Sequence, residues 1–249
     1  MKFHLFLVAF ASLLIASCST SVSQVKLIQV NPHLVASDIQ QVHGPNIALY
    51  DSSVPSQHKL IFMIEGTGAS AMSMHVNDRV FAAMGFHVIS VDYENNIIST
   101  VCEHSKDSAC SYDFRKEIIT GEPLSNLTNV DSANSLLNRF STFLQYLVKN
   151  DPRGGWEKFL EGNIPRWEDI IVAGHSQGSG HAALLGKMFK VNRVLIFSGP
   201  QDYLVDLGMP SPWLSEKGAT PEDRYYAFLS LRDPFNIKYQ IADCDQLMG

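Results

Sequence analysis

Apolar residues fall in runs and periods that separate strands from helices along this chain. Val25–Val30 and residues 47–50 read as short strands. Residues 59–64 form an almost continuous apolar run stopped by Glu65-Gly66-Thr67-Gly68, which predicts a strand buried on both faces. Residues 86–92 read as the next strand, with a helix over 72–84 between the two. From Asp131 the period turns helical: Leu136, Leu137, Phe140, Phe143, Leu144, Leu147 and Val148 share one face,. Asp151-Pro152-Arg153-Gly154-Gly155 ends that helix,. Residues 170–173 predict a strand, 179–189 a helix, and Arg193–Phe197 and 225–231 two further strands. Residues 94–128 show no clear period and are expected to leave the core as an insertion. Strands alternating with helices predict an α/β domain, a mostly parallel sheet with helices on both faces.

Composition supports a packed core. Of 249 residues, 45% are hydrophobic and 18% charged, which excludes disordered, collagen-like and coiled-coil chains. The formal net charge of −6 lacks the basic excess of a nucleic-acid-binding domain, so no nucleic-acid partner is expected.

The N-terminus changes the picture. Met1-Lys2 is followed by an apolar run to Ala16, interrupted by His4 and Ser12. That run is shorter than the roughly 20 residues of a membrane span and has the proportions of a secretory leader. It ends Leu14-Ile15-Ala16-Ser17-Cys18 and resembles a bacterial lipobox. The resemblance implies a lipoprotein signal peptide over 1–17 and lipid on Cys18. With Ser19 next, it also implies an exported protein anchored in the outer membrane and facing the periplasm. Export makes a disulfide between Cys102 and Cys110, eight residues apart, the expected state of that pair. A zinc site using Cys102, His104 and Cys110 lacks a fourth ligand nearby.

The sharpest chemical feature is Gly174-His175-Ser176-Gln177-Gly178. It lies between a predicted strand and a predicted helix, the setting of a nucleophile elbow. Both flanking positions are glycine, as close approach of strand and helix demands. An oxyanion formed after attack by Ser176 needs two backbone donors. Gln177 offers one, and the loop Glu65-Gly66-Thr67-Gly68 offers the other, from Thr67 or Gly68, with Thr67 preferred. On these motifs and the element order over about 45–235, the chain resembles the α/β-hydrolase superfamily. The resemblance implies a serine hydrolase acting on a small ester or acyl substrate, with no cofactor and no metal.

The family order of nucleophile, acid and histidine places the acid at Asp233, after the strand at 225–231, ahead of Asp202. No histidine follows Asp233. His181 lies in the helix after the serine, and His75, His87 and His104 precede it. This suggests a single domain over 18–249, incomplete at its C-terminus, with the last strand and helix missing. Two functions follow: an esterase or lipase-like enzyme, or an inactive hydrolase-like protein that binds a ligand in the same cleft.

Overall fold

The computed structural model describes residues 24–249; the expected signal peptide over 1–17 and Cys18 lie outside the described residues. Seven strands form the main sheet: β1 Val25–Val30, β2 Asn46–Asp51, β3 Leu60–Ile64, β4 His87–Ser90, β5 Ile170–His175, β6 Arg193–Phe197 and β7 Tyr225–Phe228. Their order is β1-β2-β4-β3-β5-β6-β7. β1 and β2 are antiparallel to each other, and β2 is antiparallel to β4. All the remaining pairs are parallel. The sheet is therefore mostly parallel, as the alternation of strands and helices predicts. β3 pairs on one side with β4 and on the other with β5. It lies between two parallel neighbours with both faces covered, and all five of its residues are buried.

Alternate side chains feed two cores, one per face. Ile47, Leu49, Ile61, Met63, Val88 and Ala173 pack with Ala71 and Ala82, under the helix α2, His75–Ala83. A one-turn helix, α1, covers Pro32–Val35. On the opposite face Ala48, Phe62, Ile89, Val172 and Ile196 meet α3 Cys110–Thr120, α4 Leu136–Asn150 and α5 Gln177–Met188. α4 starts where the Ser135 side chain accepts from the Asn138 N–H, an N-cap of the usual kind. Its stripe of Phe140, Phe143, Leu144 and Leu147 is buried, and Phe140 stacks on Phe62 with ring centres 4.2 Å apart. Burying each such aromatic contributes about 1.5–3 kcal/mol.

Two expectations are revised and one element is new. The segment 94–128 holds α3, which is part of the second core through Phe114, Ile118 and Ile119. Its buried positions include Ser111, Arg115 and Glu117, so polar residues masked its helical period. The strand expected over 225–231 ends at Phe228, and Leu231 is 88% exposed. The closing residues form α6, Ile237–Met248, capped by the Asn236 side chain on the Lys238 N–H. Cys102 and Cys110 are joined by a disulfide with a Cα–Cα distance of 5.7 Å, which ties the turn Ser99–Cys102 to the start of α3.

Candidate active site

The chain leaves β3 for α2 on one face and leaves β5 for α5 on the other. Where neighbouring parallel strands send their connections to opposite faces, a crevice opens at their carboxyl ends. The loop at Glu65–Ala69 and the turn at Ser176 are both there. Ser176 has φ 52° and ψ −118°, a conformation that costs a non-glycine residue on the order of 1–3 kcal/mol. Its neighbours hold it in place. The Ser176 N–H donates to Phe197 O at 2.9 Å, and the Ser179 N–H donates to Ser176 O at 3.0 Å. A Cβ on Gly174 would lie 2.0 Å from Gly178 O, and one on Gly178 would lie 2.1 Å from Ile64 O. Those contacts explain both glycines: strand, turn and helix approach too closely for any side chain.

The loop after β3 is pinned from outside. Asn95 Nδ2 donates to Gly66 O at 2.9 Å and to Ala69 O at 2.8 Å, and the Tyr93 hydroxyl donates to Glu65 O. The Gly68 N–H is engaged by Asn95 O at 3.0 Å. Of the two residues that sequence left open as donors, Gly68 therefore has its amide occupied. Thr67 faces the elbow, its Oγ1 donating to Gln177 Oε1 at 2.7 Å. Gln177 opens α5, where backbone N–H groups have no partner inside the helix.

Ser176 and Asp233 line one cleft of about 330 Å³, together with His175, Ser198, Gln201 and Phe235. Asp233 Oδ1 accepts the Phe235 N–H at 2.9 Å. No histidine among the described residues hydrogen-bonds to Ser176 Oγ; the group nearest to doing so is Gln201 Nε2, at 3.5 Å. His75 Nδ1 contacts Met72 O, His87 Nε2 contacts Gly154 O, and His104 pairs with Asp206 at the surface. His181 is completely buried beside Tyr93. Burial, and then the nearby Arg115 charge, hold its pKa well below the ordinary histidine value. Among the described residues, His175 is the histidine that shares the cleft with the serine.

Asp202, the second candidate for the acid, is not among the residues that line this cleft. It is buried in a two-pronged ion pair with Arg115, both side chains fully inaccessible, and it accepts the Trp213 Nε1–H at 3.0 Å. Arg115 Nη1 in turn donates to Gln177 O at 2.9 Å, so the pair supports the elbow from beneath. Asp243 of α6 accepts the Asp202 N–H at 2.7 Å. Burial, and then the Asp202 charge, push Asp243 up to about 8. On the α2 side Glu65 and Asp78 are buried, and among the described residues neither forms an ion pair with a cation. Burial, and then Asp78, raise Glu65 to about 8, and burial raises Asp78 to about 7.

Gln201 and Arg115 are the site residues that sequence reasoning missed. Arg115 was legible in principle, since Ser111, Phe114, Arg115, Ile118 and Ile119 follow helical spacing. Gln201 carries no sequence signal.

No family model matches the chain, and no curated protein matches its sequence. Among solved structures, an inhibited esterase B from Lactobacillus rhamnosis is 13% identical over 65% of this chain, with a TM-score of 0.35. A hyperthermophilic esterase from the archaeon Pyrobaculum calidifontis is 16% identical over 66% of it, with a TM-score of 0.31. The matches span 40% and 38% of those chains' own lengths.

Proposed function

We propose that the chain is an ester-cleaving serine hydrolase with Ser176 as nucleophile. The observation that carries this reading is the backbone of Ser176, held at φ 52° at the head of α5 between two glycines that no other residue can replace. Ser176 Oγ would form a bond to the acyl carbon while the alcohol oxygen leaves with the proton taken from Ser176. Water would then release the acid. The N–H groups of Thr67 and Gln177 would stabilise the oxyanion, and Asp233 is the acid that shares the cleft. With no described histidine on Ser176 Oγ, the hydroxyl keeps its proton and is a weak nucleophile. Slow turnover is therefore expected; a triad that has lost a member keeps about 10³–10⁴-fold over water.

The second reading, a ligand-binding protein without turnover, is favoured by that same contact of Ser176 with an amide rather than an imidazole. A fluorophosphonate probe and a short-chain ester discriminate the two. Labelling that is lost in Ser176→Ala supports the hydrolase, and His175→Ala then tests the one histidine in the cleft. An unlabelled, inert chain supports the binding protein.

The lipid anchor on Cys18 and the outer-membrane location belong to the same proposal. Among the described residues no helix is long and apolar enough to cross a membrane. Metabolic labelling with a fatty-acid analogue in an expressing bacterium should tag the wild type and spare Cys18→Ala; equal labelling of both would refute the anchor.

A further inference from the structure

A second recess opens beside the cleft at Ser176, and the two share Gln201, Pro234 and Phe235 as a common wall. Its volume is about 240 Å³, below the roughly 300–1,000 Å³ of sites for drug-sized ligands. It admits a single ring. α6 supplies the deep wall through Gln240, which is 1% exposed and whose Nε2 and Oε1 both lack a hydrogen-bond partner. A primary amide offers two donors and an acceptor, and a buried amide left unpaired is unfavourable. A ligand hydroxyl, donor and acceptor at once, can satisfy either atom.

The rest of the lining has the same character. Tyr203 and Tyr239 stack with ring centres 4.2 Å apart and planes within 4°, giving an aromatic surface for the C–H face of a ring. Thr100 and Glu103 line the recess from the disulfide-tied turn, one on each side of Cys102 in sequence. Glu103 forms no ion pair among the described residues, so its carboxylate repels anions and can accept hydroxyls. Gln201 is oriented between the two spaces: Ser99 Oγ donates to its Oε1, while its Nε2 faces Ser198 O at 3.2 Å and Ser176 Oγ at 3.5 Å. A methylene chain in this recess would leave the Gln240 amide unpaired, desolvate the Glu103 carboxylate and return no hydrogen bond.

We propose that this recess binds a hydroxylated ring, a pyranose or a polyol of that size, as the alcohol part of the ester. The esterified oxygen would pass Gln201 to reach Ser176. The ester part of the proposal rests on the hydrolase reading above, and the ring-binding part does not.

Saturation-transfer NMR on the full chain tests the binding directly. The ligands are the methyl glycosides of glucose, galactose, mannose and xylose, with 1-hexanol as the apolar comparison. At least one glycoside should bind in preference to hexanol. Gln240→Leu keeps the side-chain size and removes the unpaired atoms, so it should fold and weaken glycoside binding about ten-fold. Tyr239→Leu should weaken it independently. Binding of hexanol alone, binding of none of the glycosides, or undiminished binding by a folded Gln240→Leu chain would overturn the subsite. Ser176→Ala should bind the glycoside as the wild type does. Glycoside binding without fluorophosphonate labelling at Ser176 removes the hydrolase reading and the ester part with it, while the ring site stands. Labelling without glycoside binding removes only the subsite.

Discussion

Buried acids flank the elbow on both sides, and the two sides are organised differently. On the α5 side Asp202 lies against a guanidinium, Arg115, whose prongs hold it and whose remaining nitrogen holds Gln177 O, and Asp243 lies behind Asp202, accepting its backbone N–H. On the α2 side Glu65 and Asp78 are as deeply buried, at 1% and 0% exposure, and no cation among the described residues pairs with them. Their only described hydrogen bond is the one Glu65 Oε1 accepts from the Met74 N–H, at 3.3 Å. The contrast teaches how many charges a buried cation can support. Arg115 supports one carboxylate, Asp202. The second acid on its side, Asp243, is pushed up to about 8, the same level as Glu65 on the side with no cation.

Removing Arg115 should break the comparison most. Arg115→Met would leave Asp202 buried without its counter-charge and take away the support under Gln177 O. Stripping one partner from a buried pair costs about 3–5 kcal/mol. Asp78→Asn, made in an equally buried acid, should change stability at neutral pH by no more than about 1 kcal/mol, because it orphans no charge. Urea unfolding at pH 7 checks both. Equal losses from the two substitutions would mean that the ion pair carries no special role beneath the elbow.

The same contrast explains what the sequence could and could not disclose. The strands at 59–64 and 170–173, the helix α4 and the glycine-flanked serine were legible because burial there is apolar and periodic, and because a turn that admits no side chain writes itself as Gly174 and Gly178. α6 was not legible. Its buried face is Gln240, Asp243, Cys244 and Leu247, which keeps helical spacing but reads as polar. α3 is masked for the same reason, with Arg115 and Glu117 inside and Ile118 and Ile119 beside them. Where buried positions are filled by hydrogen-bonded or charged groups, hydrophobic period fails, and only the partners reveal the face. Asp202 shows the same difficulty: a loop aspartate and a fully buried one look alike until Arg115 is found across 87 residues. Asp233 and Ser176, far apart in sequence, do share a cleft, because β5, β6 and β7 are successive parallel neighbours.

Acidity dependence sharpens the comparison with a smaller effect. Unfolded carboxyls titrate near 4, whereas Asp78 is raised to about 7 and Glu65 and Asp243 to about 8 by burial. Above about pH 5 the unfolded chain has released these protons and the folded chain still holds them, so stability falls with rising pH. The contribution is complete below the unfolded values, declines as pH climbs through 7 to 8, and levels off once the folded groups ionise. A net loss of stability between pH 5 and pH 9 is expected from the three acids together,. Asp78→Asn and Glu65→Gln should each flatten the decline on the α2 side, and Asp243→Asn should flatten it on the α5 side. Asp243→Asn removes one raised acid where loss of Glu65 and Asp78 together removes two, so it should flatten the curve less than loss of the α2 pair,. Urea midpoints at pH 5, 7 and 9 for wild type and the three variants measure this. A wild type whose stability rises over that range, or a Glu65→Gln curve parallel to the wild type, would show that the α2 pair is already ionised in the folded chain, and the distinction between the two sides would disappear.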